Sequence, residues 1–190
     1  MQQRRRRPGV GGRDGPTPGS AADSTPEADP HSVARAIVLR QLTSSAKSRQ
    51  QLADKLAERD VPDDVAEAVL DRFEEVQLID DAEFARMWVR SRSQTRSLAR
   101  SAIRRELTGK GIDPQLAEEA LEQISPDDEV EAARDLVDRK LRRASLPEDA
   151  KERDKLVRRL VSMLARKGYS PSLGFTVVND ALAAHRNAGT

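Results

Sequence analysis

The side chains that do covalent chemistry are almost missing from this chain. It has no cysteine, which excludes disulfides, thiolate metal sites and cysteine nucleophiles. Its two histidines, His31 and His185, lie near opposite ends and have no metal-ligand spacing to each other. The adjacent carboxylates Asp80–Asp81 and Asp127–Asp128 have the residue type for general acid–base work, but each pair opens an apolar helical pattern, where the helix dipole favours negative charge. Gly9, Gly11, Gly12 and Gly15 have neither a strand before them nor a helix after them, so they form no phosphate-cradling loop. Neither catalysis, nor a metal, nor any other cofactor is expected.

Arginine remains. The chain holds 33 Lys and Arg against 32 Asp and Glu, a net charge of +1, so global charge points to no nucleic acid. The distribution is uneven. Between Arg86 and Lys110 there are eight bases and one acid, Glu106; between Lys151 and Lys167 there are seven bases against Glu152 and Asp154. Residues 34–79 instead carry seven bases and nine acids. Arg86, Arg90, Arg92, Arg96, Arg100, Arg104 and Arg105, with Lys155, Arg158 and Arg159, are therefore the candidate partner-binding residues, on charge alone. The ordinary competing reading is a solvated helix face. The Ser/Arg segment from Arg90 to Ser97 has no apolar residue and is expected to be an exposed loop. Trp88, the only tryptophan, falls on a helical stripe and reads as core rather than as a base-stacking platform.

The elements that must position these arginines form a repeat. Leu52, Leu56, Val61, Val65 and Leu70, shifted by 51, become Ile103, Leu107, Ile112, Leu116 and Leu121. A further shift of 57 gives Leu160, Leu164, Tyr169, Leu173 and Val178. Each unit reads as three helices with apolar residues at steps of three and four. The first has Ala34, Ile37, Val38 and Leu42, then Leu52 and Leu56, then Val65, Val69, Phe73 and Val76. The second has Phe84 with Trp88, then Ile103 with Leu107, then Leu116, Ala120 and Ile124. The third has Val130, Ala133 and Val137, then Leu156, Leu160 and Met163, then Leu173, Val177 and Ala181.

Punctuation agrees with the repeat. Gly111 and Gly168 stand where a left-handed residue closes a helix, and Asp113–Pro114 and Ser170–Pro171 are start signals. The first unit departs, with Asp60 in the glycine position. Ser48 with Gln51 and Asp80 with Glu83 have capping-box spacing. Residues 1–33, with Arg4 to Arg7 and few aliphatics, read as a disordered tail. The expected architecture is all-α: three-helix repeats over 34–79, 80–125 and 126–186, in an elongated, curved array. No segment has the roughly 20 apolar residues of a membrane span, and the N-terminus lacks a signal-peptide core. A cytoplasmic protein without membrane attachment, and a monomer, is the expectation.

Three segments carry a resemblance. The run Leu78-Ile79-Asp80-Asp81-Ala82-Glu83-Phe84-Ala85-Arg86-Met87-Trp88-Val89-Arg90-Ser91-Arg92 resembles the signature of the RecX family. So do Ile103-Arg104-Arg105-Glu106-Leu107-Thr108-Gly109-Lys110-Gly111-Ile112 and Leu164-Ala165-Arg166-Lys167-Gly168-Tyr169, in matching order and spacing, so that the likeness spans roughly residues 34–184. The resemblance implies a non-catalytic regulator of the RecA recombinase. Such a protein binds in the groove of the RecA filament on single-stranded DNA and inhibits ATP hydrolysis, strand exchange and filament growth. Weak direct contact with nucleic acid is compatible with it. No motif assigns individual contact residues.

A second reading belongs to another class: a DNA-binding protein using a helix-turn-helix-like pair such as Ser97 to Ile124. Against it, the second helix of that pair carries Glu118, Glu119 and Glu122 and no base. A helix meant to approach phosphates is expected to be basic.

Overall fold

The structure is a computed structural model that describes residues 29–142, 147 and 149–188. Among them the chain forms nine helices and no strand. The first unit holds α1 (Pro30–Ser44), α2 (Arg49–Ala57) and α3 (Asp63–Glu75). The second holds α4 (Asp81–Arg96), α5 (Arg100–Thr108) and α6 (Pro114–Leu121), and the third α7 (Pro126–Leu141), α8 (Ala150–Arg166) and α9 (Pro171–Ala188). The class is all-α, and Phe175 to Val178 lie inside α9. Among the described residues no helix is long and apolar enough to cross a membrane.

Three expectations need correction. Residues 29–33 are not tail: Asp29 accepts hydrogen bonds from the backbone N–H groups of His31 and Ser32, and Pro30 opens α1. This is the start signal already recognised at Asp113–Pro114, and it places His31 in a helix. The remainder of the expected tail lies outside the described residues. The segment Arg90–Ser97 is not a loop either, because α4 runs to Arg96 and closes at Ser97 with φ 47°. Arginine and glutamine are good helix formers, and the Ser93 and Thr95 hydroxyls donate back to the carbonyls of Arg90 and Ser91. Finally, Val76 is exposed at the C-terminal cap of α3, so that stripe ends at Phe73.

The repeat is visible in the backbone. The N–H groups of Val61, Ile112 and Tyr169 donate to the carbonyls of Leu56, Leu107 and Leu164, each at 3.2 Å. The residue just before each donor has positive φ: Asp60 at 55°, Gly111 at 73° and Gly168 at 93°. Thirteen of the fifteen matched apolar positions are buried, and Leu116 and Leu173 pack partly buried against their clusters. Each unit closes its own core, around Leu52 and Leu56, around Ile103 and Leu107, and around Leu160 and Leu164. Complete burial of one such leucine contributes about 2 kcal/mol, so each small core rests on a handful of side chains.

The units are joined by one junction used twice. At the first, the Ser48 hydroxyl donates to the Lys110 carbonyl at 2.7 Å, and the Arg49 N–H donates to the Asp81 carboxylate at 2.9 Å. At the second, the Ala99 N–H donates to the Lys167 carbonyl at 3.0 Å, and the Arg100 N–H to the Glu129 carboxylate at 3.0 Å. Ala99 and Lys167 are the repeat equivalents of Ser48 and Lys110. In both cases a free N–H at the start of one unit's second helix, that of Arg49 or Arg100, is taken by a carboxylate of the next unit, and the residue before it donates to a carbonyl there. The glycines sit in this contact. A Cβ on Gly111 would lie 2.3 Å from the Gln50 Cβ, and one on Gly168 2.6 Å from the Ala102 Cβ. Asp60 stands in the first unit, which among the described residues has no unit packed before it.

Candidate partner-binding surface

The structure divides the ten candidate cations by whether a carboxylate already holds them. Glu83, in the first turn of α4, takes both Arg86 at 2.8 Å and Arg90 at 3.2 Å. The Arg86 hydrogen bond holds the Glu83 carboxyl below the usual carboxylate range. Arg104 makes a two-pronged ion pair with Glu118 of α6, which likewise lowers the Glu118 carboxyl. Lys155 pairs with Glu152 at 2.7 Å. These pairs are exposed, and each adds little to stability. They do cancel charge that the linear count had left free.

Arg92 belongs to the fold. Its side chain is only 18% exposed and donates from Nε to Glu106 at 2.7 Å. Its guanidinium lies 3.8 Å from the Trp88 ring centroid, and the Lys110 ammonium lies 4.0 Å from the same centroid. Glu106 also accepts from the indole Nε1 at 2.8 Å, and Phe84 stacks on Trp88 at 5.7 Å. Desolvation first, and then the Arg92 charge, lowers the Lys110 pKa. Trp88 is thus half-buried, packed against the second core and already in contact with Phe84, Arg92 and Lys110, which compete with any nucleotide base for its ring.

Five candidates remain. Arg96, Arg105, Arg158 and Arg159 are exposed and make no ion pair with any described residue. Arg100 is half-buried; its side chain reaches only the Ile124 carbonyl, at 3.5 Å. Arg96 ends α4, Arg100 and Arg105 lie on α5, and Arg158 and Arg159 on α8. Glu83 escaped the charge count because it stands three residues before the window opens, although its i,i+3 relation to Arg86 was legible. The Arg104–Glu118 pair was not, because it depends on how α5 meets α6. The carboxylate pair Asp80–Asp81 has structural duties: Asp80 caps α4, and Asp81 receives the Arg49 N–H across the junction. Among the described residues no three His, Asp or Glu side chains come together as a metal site.

A tandem array of three three-helix units with one repeated junction defines a class of non-enclosing, modular helical proteins. Models of the first, second and third three-helix domains of RecX match residues 34–73, 80–121 and 127–178, in that order. The chain belongs to the RecX family. It is 49% identical over 169 residues to regulatory protein RecX of Streptomyces lividans, covering 88% of each chain. It is 47% identical over 173 residues to regulatory protein RecX of Thermobifida fusca, covering 91% of this chain and 89% of that one. Its fold is similar to the crystal structure of RecX from Lactobacillus salivarius, with TM-score 0.70 and 25% identity over 81% of this chain and 97% of that one. A second crystal structure, of regulatory protein RecX, gives TM-score 0.67 and 29% identity, covering 80% of this chain and 74% of that one. A RecX regulatory role is the one this relationship supports.

Proposed function

We propose that this protein is a non-enzymatic, monomeric, cytoplasmic regulator that binds the RecA recombinase filament on single-stranded DNA and inhibits its ATPase, strand exchange and extension. The observation that carries this reading is the order of three RecX domain matches on an array whose two junctions are alike. A junction repeated with similar geometry relates successive units by similar screws, and a screw can follow a helical groove. Each unit that docks raises the effective concentration of the next, so modest contacts give strong retention.

The contact surface is built on Arg96, Arg100, Arg105, Arg158 and Arg159. Arg86, Arg90, Arg104 and Lys155 join it by exchanging an exposed intramolecular carboxylate for one on the partner. Arg92 serves the second unit's core. Charge of this kind contributes rate and register more than affinity. The helix-turn-helix reading gains nothing from the fold: α6 carries Glu118 and Glu119, and Glu122 caps it.

The test is RecA ATPase on single-stranded DNA, titrated with this protein. Inhibition below one molecule per recombinase subunit is the expected result. Unchanged hydrolysis at molar excess would overturn the proposal.

A further inference from the structure

The third unit differs from the other two in how its first two helices meet. In the first and second units these helices pack on each other as well as on the third. In the third unit α7 and α8 each pack on α9 and touch one another only marginally. The second helix is also longer there. Three residues precede Leu52 in α2 and Ile103 in α5, whereas ten precede Leu160 in α8. An open groove of about 440 Å³ lies between α7 and α8.

The lining of the groove is one-sided in charge. Leu141, Leu156, Leu160 and Met163 form an apolar floor, and Lys140, Arg159 and Arg166 stand beside it. Among the described residues no acid lines it. None of the three cations is paired with a carboxylate of any described residue, in contrast to Arg86, Arg90, Arg92, Arg104 and Lys155. Only Arg159 of the three was among the candidate cations.

We propose that this groove docks an acidic amphipathic α-helix of a protein partner, laid along α8 between it and α7. The inference rests on the reading of the protein as a protein-binding regulator. Leu156, Leu160 and Met163 recur at steps of four and three along one face of α8, and from Leu156 to Arg166 the helix rises about 15 Å, the length of nearly three turns of a partner helix. Methionine on the floor adapts to a partner's side chains at low cost. Three cations without a carboxylate partner, in a lining with no acid among the described residues, select carboxylates beside the incoming apolar stripe. Single-stranded nucleic acid fits less well, because among the described residues no aromatic side chain lines the groove for its bases to stack on. A second copy meeting groove to groove would set like charges against each other.

The test uses the full-length, nitrogen-15-labelled protein. The probe is a 14-residue capped peptide with leucine at i, i+3, i+4 and i+7 and glutamate on both flanks of that stripe. Its controls are the same peptide with every glutamate replaced by lysine, and a 15-nucleotide oligothymidylate. Saturable binding of the acidic peptide is expected, with amide shifts confined to residues 140–141 and 156–166. The double variant Arg159→Glu with Arg166→Glu is expected to weaken it about tenfold, and Arg40→Glu, far from the groove, to leave it unchanged. Shifts elsewhere, equal binding of the lysine peptide, or displacement of the acidic peptide from these residues by oligothymidylate would each overturn the proposal. Both arginines are exposed and unpaired, so the double variant is expected to melt with the wild type. If it does not, the wild-type shift map alone decides. RecA ATPase is read separately with the wild-type protein: no peptide binding with intact ATPase inhibition removes only the groove, and peptide binding without ATPase inhibition removes only the recombinase reading.

Discussion

At the scale of single residues, what matters is which charge is spoken for. Glu106 shows this best. It is the one acid in the strongest basic stretch, and it accepts from both Trp88 and Arg92 while the Lys110 ammonium lies 4.0 Å from the indole centroid. A glutamine at this position keeps an acceptor but removes the charge that offsets two clustered cations. Glu106→Gln is therefore expected to lower stability by about 1–2 kcal/mol in urea denaturation. Trp88, the only tryptophan, reports the same change as a shift of emission to longer wavelength. Unchanged emission and midpoint would mean that the cluster is not held by its carboxylate. The identity of the cations was legible in the sequence. Their availability was not, because Arg104 is neutralised by Glu118 fourteen residues away, across a helix–helix contact. Groove residues such as Lys140 and Arg166 were passed over for the same reason: charge along the chain does not say which side chains share a cleft.

At the scale of elements, the junction between units explains positions that helix propensity alone leaves odd. Gly111 and Gly168 combine positive φ with a neighbouring unit pressed against the missing Cβ, whereas Asp60 has only the positive φ. Gly168→Ala is expected to cost about 2 kcal/mol or more, since strain and overlap act together. Asp60→Gly is expected to change stability by less than about 1 kcal/mol. Chemical denaturation of the two variants makes the comparison, and equal losses would contradict the account of the junction. Tyr169 adds a pH signature. Its hydroxyl donates to the Ser97 carbonyl at 3.0 Å, and burial pushes its pKa up from 10.0 to about 12. The folded protein holds this proton more tightly than the unfolded chain. The stabilisation is therefore complete below pH 10 and is lost as pH rises from about 10 to about 12. Tyr169→Phe is expected to remove that part of the alkaline slope in a melting series. The three-helix periodicity and the turn glycines were readable from apolar spacing. The extent of α4 was not, because a helix without apolar residues in its last two turns looks like a loop when only hydrophobic periodicity is counted. The start of α1 was present in Asp29–Pro30 and was masked by the polar composition before it.

At the scale of the whole molecule, three small cores joined by alike junctions make a modular array, and the proposed function places its activity on the surface. The sequence carried that architecture because thirteen of the fifteen matched positions are buried in the three cores, and the other two pack against them. It did not carry the opening between α7 and α8, which depends on how two helices lean on a third. The central claim is that the partner is the assembled RecA filament, rather than free recombinase or bare DNA. The most direct measurement is fluorescence anisotropy of the labelled full-length protein against preformed RecA filaments on single-stranded DNA, against RecA alone and against the DNA alone, at several salt concentrations. The account predicts saturable binding to the filament that is tighter than to either component and weakens as salt screens the exposed arginines. Binding to bare DNA as tight as to the filament, or no binding to the filament at low salt, would contradict it.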